Sequence, residues 1–203
     1  MTRGRLLVFE GIDASGKSSQ AARVAHAHGA LLTFEPGDTA LGEQLRRWLL
    51  DGAAPMAAPT EALLMLADRA HHVDTVIEPT LRGGRSVVSD RYSASTLAYQ
   101  GYGRGVDLDE LRVATSLAVG RCRADLTILI DVTTALAHER RERNGADRFE
   151  SADAAFHERV RQGYLQMADD DPEQWVVIDG SQSEALVTAA IDEVLDLRSW
   201  PHA

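Results

Sequence analysis

Gly11-Ile-Asp-Ala-Ser-Gly-Lys-Ser18 follows the apolar run Leu6 to Glu10 and opens a helical pattern. It satisfies G-x-x-x-x-G-K-[ST] at every fixed position, in the strand–loop–helix context that gives the motif meaning. Glycines at both ends let the backbone curl so that successive N–H groups point inward, and the helix N-terminus adds its positive end. The predicted ATP-binding set is therefore Gly11, Ile12, Asp13, Ala14, Ser15, Gly16, Lys17, Ser18 and Ser19. Lys17 is expected to reach the β- and γ-phosphates, and the Ser18 hydroxyl to hold Mg²⁺. The bland alternative is a strand-to-helix turn with an exposed lysine, for which a complete motif in this context is not needed.

Outward from this loop, short Val/Ile/Leu-rich runs alternate with longer helical patterns. Strands are expected at Arg5–Glu10, Leu31–Phe34, Ser86–Ser89, Leu126–Asp131 and Trp175–Ile178. Helices are expected over about 17–28, 39–51, 59–82, 93–120 (broken near Gly101–Gly105), 133–143, 151–170 and 182–198. Continuous apolar strands separated by helices predict an α/β fold of the P-loop NTPase type. Its five-stranded parallel sheet carries helices on both faces. No repeat or long linker divides the chain, so residues 1–203 are read as one domain with a lid segment at about 140–150.

The 203 residues are 44% apolar and 26% charged, with a formal net charge of −10. That balance disfavours long-range attraction to nucleic acid polymers and leaves small anions as ligands wherever arginines converge. The apolar stretch at the N-terminus is too short for a signal segment, which predicts a cytoplasmic protein without a membrane span. A lone cysteine, Cys122, excludes an internal disulfide. The seven histidines form no metal-binding pattern.

A GTPase would need N-K-x-D after a later strand, but the only asparagine is Asn144, in Asn144-Gly-Ala-Asp147. A small-molecule kinase is the surviving class. Ser86-Val-Val-Ser-Asp90 is an apolar strand ending in the carboxylate that organises Mg²⁺ in such enzymes, so Ser18 and Asp90 form the predicted metal set. Arg91 follows at the carboxyl edge of the sheet, where a guanidinium can grip a phosphate with two parallel bonds. Arg140-Arg-Glu-Arg-Asn-Gly-Ala-Asp-Arg148 places four arginines in nine residues. They read either as a solvated helix end or as a lid delivering positive charge to the transferring phosphoryl group.

Five segments together resemble the successive motifs of bacterial thymidylate kinases: FEGIDASGKSSQ (Phe9 to Gln20), EPGDTALGEQLRRWLLD (Glu35 to Asp51), LADRAHHV (Leu66 to Val73), SDRYSASTLAYQGYGRG (Ser89 to Gly105) and ADLTILIDV (Ala124 to Val132). The likeness continues through DRFE and FHERVRQGYLQMA. It implies transfer of the γ-phosphoryl of ATP to dTMP for DNA precursor synthesis, and a homodimer. It gives Arg91 the acceptor's phosphate and Asp13 the sugar 3′-hydroxyl. Arg69 is given thymine or the nearby phosphate; Thr96 and Gln100 approach the base, and Tyr99 the sugar. The implied dTMP set is Asp13, Glu35, Met65, Arg69, Arg91, Ser95, Thr96, Tyr99 and Gln100. Ala14 stands where one subgroup carries an arginine in the phosphate loop. The resemblance therefore moves that charge to lid positions Arg141 and Arg143, which join Lys17, Asp13 and Arg91 as the catalytic set.

One departure stands out. The family usually has R-E-P-G, whereas this chain reads Thr33-Phe34-Glu35-Pro36-Gly37, so one cation beside the acceptor is missing. A kinase for another nucleoside monophosphate, or a silent nucleotide-binding regulator, remains open to the sequence.

Overall fold

The computed structural model describes residues 2–50, 56–144 and 154–201. Five parallel strands, β1 (Leu6–Glu10), β2 (Leu31–Phe34), β3 (Val87–Asp90), β4 (Leu126–Asp131) and β5 (Trp175–Asp179), lie in the order β2-β3-β1-β4-β5. The five strands match their sequence-predicted positions to within one residue at each end. In β1 all five residues are buried, which follows from helices covering both faces of a parallel sheet. Leu7 and Phe9 point to one face and pack with Val24 of α1 (Lys17–Ala27) and Ile191 of α9 (Glu184–Leu197). Leu6 and Val8 point to the other and meet Ile77, Leu81 and Tyr92. This is the two-residue alternation of an extended chain.

The remaining helices are α2 (Ala40–Leu50), α3 (Ala58–His72), α4 (Glu78–Arg82), α5 (Ser93–Thr96), α6 (Leu108–Val119), α7 (Thr134–Asn144) and α8 (Ala154–Asp170). Two predicted helices turn out more elaborate than their periodicity suggested. The segment read as one helix over 59–82 widens to a π-helical turn at Val73–Ile77 before α4. Pro79 explains the position: its ring cannot sit against the carbonyl four residues earlier, and it has no N–H to give. The second, after Arg91, becomes π-helical over Leu97–Gly103. A Cβ at Gly101 would lie 2.4 Å from Leu108, and one at Gly103 would lie 2.6 Å from Phe156. The predicted break at Gly101–Gly105 is thus a place of close packing between elements. Asp107 then caps α6 by accepting from the Asp109 and Glu110 amides.

Chain direction across the sheet changes around β1, since β2 and β3 lie on one side of it and β4 and β5 on the other. The carboxyl ends of β1 and β3 therefore open a crevice at the switch point, where ligands bind in such sheets. Phe9 is level with Asp90 in the ladder, which sets the phosphate loop beside the Asp90-Arg91 pair.

Candidate active site

The loop after β1 takes the curled path its glycines allow. Gly11 has φ 145° and Gly16 φ 96°, and Ala14 joins them at φ 61°. A side chain on Gly11 would meet the Ile130 carbonyl at 2.6 Å, so only glycine fits there. Lys17 is buried, with Nζ 3.4 Å from the Ile12 carbonyl and 3.7 Å from Asp13 Oδ1. Burial lowers its pKa, and the nearby Arg91 lowers it further, against the pull of Asp13. The Ser15 hydroxyl is buried without a hydrogen-bond partner among the described residues.

Ser18 Oγ donates to Asp90 Oδ2 at 2.5 Å, joining the start of α1 to the end of β3. The other carboxylate oxygen, Asp90 Oδ1, is buried with no hydrogen-bond partner among the described residues. An orphaned carboxylate oxygen beside a serine hydroxyl suits a hard divalent cation with oxygen ligands. Among the described residues no group of three or more His, Cys, Asp or Glu side chains would hold a metal by itself. Such an ion would thus draw further ligands from a nucleotide or water.

Arg91, at φ 71°, is held in that uncommon conformation by its N–H to the Phe9 carbonyl and by Ser89 Oγ donating to its own carbonyl. Its Nη1 donates to Ser95 Oγ at 3.1 Å and Tyr164 Oη at 3.2 Å. Its Nη2 donates to Asp13 Oδ1 at 2.6 Å and Tyr99 Oη at 3.1 Å. Burial would push the Asp13 carboxyl up, but Arg91 and Lys17 outweigh it and hold the group well below the usual carboxylate range.

All nine residues of the predicted acceptor set line one cavity of about 330 Å³, along with Lys17 and Ser18. Several are tied to one another. Arg69 donates to Glu35 at 2.7 Å, to Thr96 Oγ1 at 2.7 Å and to the Tyr92 carbonyl at 2.8 Å. Glu35 also lies 2.9 Å from His72 Nδ1, and Thr33 joins His72 to Asp38 behind it. Gln100 donates Nε2 to Glu61 at 2.7 Å, which leaves its buried Oε1 without a partner among the described residues. Met65 is half-buried on the same wall.

A second cavity, about 550 Å³, lies across the loop between residues 14–20, Arg140, Gly180, Gln182 and Glu184. The two share Ala14, Lys17 and Ser18. Arg140 spans the second cavity's rim, reaching the Gly180 carbonyl at 2.8 Å and the Ala14 and Ser15 carbonyls at 3.4 Å. Arg141 is buried 3.5 Å from His157 Nε2, whose pKa burial lowers first and the guanidinium second. Arg143 belongs to α7, and its side chain lies outside the described residues together with positions 145–150 of the expected lid.

The sequence did not single out Arg46, Asp68, Glu10 or Tyr164. Arg46 lines the acceptor cavity, bonds the Pro36 carbonyl at 2.7 Å and lies 5.8 Å from the centre of the Phe34 ring. Its helical spacing from the E-P-G turn was a signal available in the sequence. Tyr164 had none, because its link to Arg91 spans 73 residues.

A phosphate loop at the joint between two cavities, with the buried guanidinium of Arg91 in one of them, is the arrangement of a nucleotide kinase of the P-loop class. A thymidylate kinase family model matches residues 9–191, and the chain belongs to that family. A thymidylate kinase of Trichormus variabilis is 42% identical over 208 residues, covering 97% of this chain and 99% of that protein. One from Desulforudis audaxviator is 43% identical over 195 residues, covering 93% and 88%. The crystal structure of a thymidylate kinase from Ehrlichia chaffeensis superposes with a TM-score of 0.77 at 30% identity, covering 96% of this chain and 99% of that one.

Proposed function

We propose that this chain transfers the γ-phosphoryl group of ATP to dTMP, giving dTDP and ADP. The observation that carries the reading is Gln100 Oε1. Its amide orientation is dictated by Glu61, itself fixed by Arg104 at 2.8 Å. A buried acceptor without a partner among the described residues therefore belongs to a residue that lines the cavity holding Asp13 and Arg91. Thymine offers an N3–H donor to such an oxygen, whereas cytosine offers a lone pair and is repelled.

In this reading ATP lies in the larger cavity with its phosphates on residues 11–19, and dTMP lies in the smaller one. Arg91 exchanges part of its hydroxyl and carboxylate shell for the acceptor phosphate. Asp13 accepts the sugar 3′-hydroxyl, with Tyr99 at 3.0 Å steadying it. Thr96 and Arg69 border the base, and Lys17 supports the γ-phosphoryl group from below. Ser18 and Asp90 would hold Mg²⁺, which when bound neutralises charge on the donor phosphates. Arg141 and Arg143 supply the lid's positive charge, consistent with Ala14 in the phosphate loop. Catalysis is then positioning and charge stabilisation, with no covalent intermediate.

A homodimer is part of this proposal. Trp48, Leu63, Val113 and Leu117 are exposed apolar side chains on α2, α3 and α6, helices that pack side by side. A monomer mass by sedimentation equilibrium would overturn that part. Among the described residues no helix is long and apolar enough to cross a membrane, and a cytoplasmic location accords with the substrates.

The decisive experiment compares ADP release with dTMP, dUMP, dCMP and dGMP. We expect kcat/KM to fall about tenfold for the missing methyl of dUMP and at least about a hundredfold for dCMP. Equal turnover on dCMP or dGMP would sink the dTMP reading, and ATP binding without ADP production on any acceptor would mean a regulator.

A further inference from the structure

Glu10, the last residue of β1, is a carboxylate with no exposed surface. Burial of that degree raises its pKa, while the neighbouring Arg91 charge and its hydrogen bonds pull the other way. Four donors converge on it. Oε1 accepts from the Tyr92 amide at 2.9 Å and the Ser95 amide at 3.2 Å. Oε2 accepts from Ser95 Oγ at 2.7 Å and Tyr164 Oη at 2.9 Å. Those same two hydroxyl oxygens are the acceptors for Arg91 Nη1.

A hydroxyl has one proton. Ser95 Oγ and Tyr164 Oη also lie 2.8 Å apart, so whether each proton goes to Glu10 or one of them bridges the pair, both hydroxyls turn lone pairs toward Arg91. From this arrangement we infer that Glu10 is a positioning residue for Arg91, orienting the guanidinium for the acceptor phosphate through the Ser95 and Tyr164 hydroxyls. Glutamine, although of the same shape, cannot replace it. With its NH₂ toward the hydroxyls, it takes their lone pairs and turns their protons on Arg91. With its NH₂ toward the backbone, it meets the two amide N–H groups donor to donor. An ionised carboxylate is the one side chain of this length that accepts on both sides. The inference rests on Arg91 binding the acceptor phosphate, as proposed above.

Steady-state kinetics of four variants test it, with dTMP and ATP varied separately. Glu10→Gln is expected to raise the KM for dTMP at least about tenfold, the loss associated with a charge-assisted hydrogen bond. The KM for ATP should stay within about twofold. The double variant S95A/Y164F removes the relay and leaves Glu10 in place; it is expected to raise the dTMP KM to a similar degree. Adding Glu10→Gln to that background should then change the dTMP KM by less than about twofold, because coupled residues are not additive. A wild-type dTMP KM in Glu10→Gln overturns the inference, as does an undiminished Glu10→Gln effect in the relay-free background. If Glu10→Gln does not fold, an unchanged dTMP KM in S95A/Y164F overturns it instead. Arg91→Lys separates the two levels, since an unchanged dTMP KM there means that Arg91 does not grip the acceptor at all.

Discussion

Arg69 and Arg91 line the same cavity, and their surroundings differ in kind. Arg69 is 2% exposed and meets a buried carboxylate directly, Glu35, with His72 behind it. Arg91 meets three hydroxyls and one carboxylate, Asp13, whose side chain is 32% exposed. Its deeply buried carboxylate, Glu10, stands one hydroxyl away. Exchanging hydroxyl oxygens for phosphate oxygens leaves no charge stranded. Separating Arg69 from Glu35 would leave two buried charges unpaired. The first arginine therefore shapes the wall, while the second can change partners.

The largest expected effect breaks the Arg69 side. Arg69→Ala should cost about 3–5 kcal/mol of unfolding free energy, as loss of one partner from a buried pair does; urea unfolding measures it. Arg91→Lys keeps a cation beside Asp13, so urea unfolding should show a cost of about 1 kcal/mol or less. Its kcat/KM for dTMP should nevertheless fall about a hundredfold, because an ammonium cannot reproduce the planar fork. Comparable stability losses in the two variants would erase the distinction between the arginines.

A smaller effect sharpens the Arg69 wall through its neighbour Asp68. Burial, then the adjacent Glu35, push the Asp68 carboxyl up to about 6. An unfolded aspartate titrates near 3.9. Between about 4 and 6 the folded state holds the extra proton, so stability should fall as pH rises through that window and level off above it. Asp68→Asn should remove this slope, measured as Tm against pH. An unchanged slope would assign it to another group.

The smallest effect concerns the cation missing before E-P-G. Arg46 lies over Phe34 and lines the acceptor cavity, so Phe34 supports a cation from a position that cannot supply one. Phe34→Ala should remove a contact worth about 0.5–1 kcal/mol and raise the dTMP KM about two- to fivefold. An unchanged KM would mean that Arg46 needs no ring beneath it.

How much was legible in advance follows from how local each signal is. The phosphate loop and Asp90-Arg91 are each contiguous in sequence and sit at strand ends, so their place in the fold was readable. The nine residues of the expected acceptor set came from resemblance, and the structure brings all of them to one cavity. What the residues did not disclose was their bonding. Nothing local to Ser95 says that its hydroxyl bridges Glu10 and Arg91. Nothing local to Thr96 says that it accepts from Arg69. Glu10 read as a strand end, since its four donors come from residues 82 to 154 positions away. The π-helical turns were hidden as well, because Pro79, Gly101 and Gly103 reveal an interruption but not the geometry that packing selects.

Strand β1 carries a last consequence. Its final residue, Glu10, bonds the hydroxyls around Arg91, and the very next residue opens the phosphate loop. Its neighbour β3 ends one residue short of it, with Asp90 level with Phe9. The offset of the phosphate loop from Arg91 along the sheet is thus set by where β1 and β3 end, and each residue gained or lost in either strand would shift it by about 3.3 Å. Deleting or inserting a single residue in β1 would move the phosphate loop out of register with Arg91, so the strand's length fixes the two cavities relative to each other.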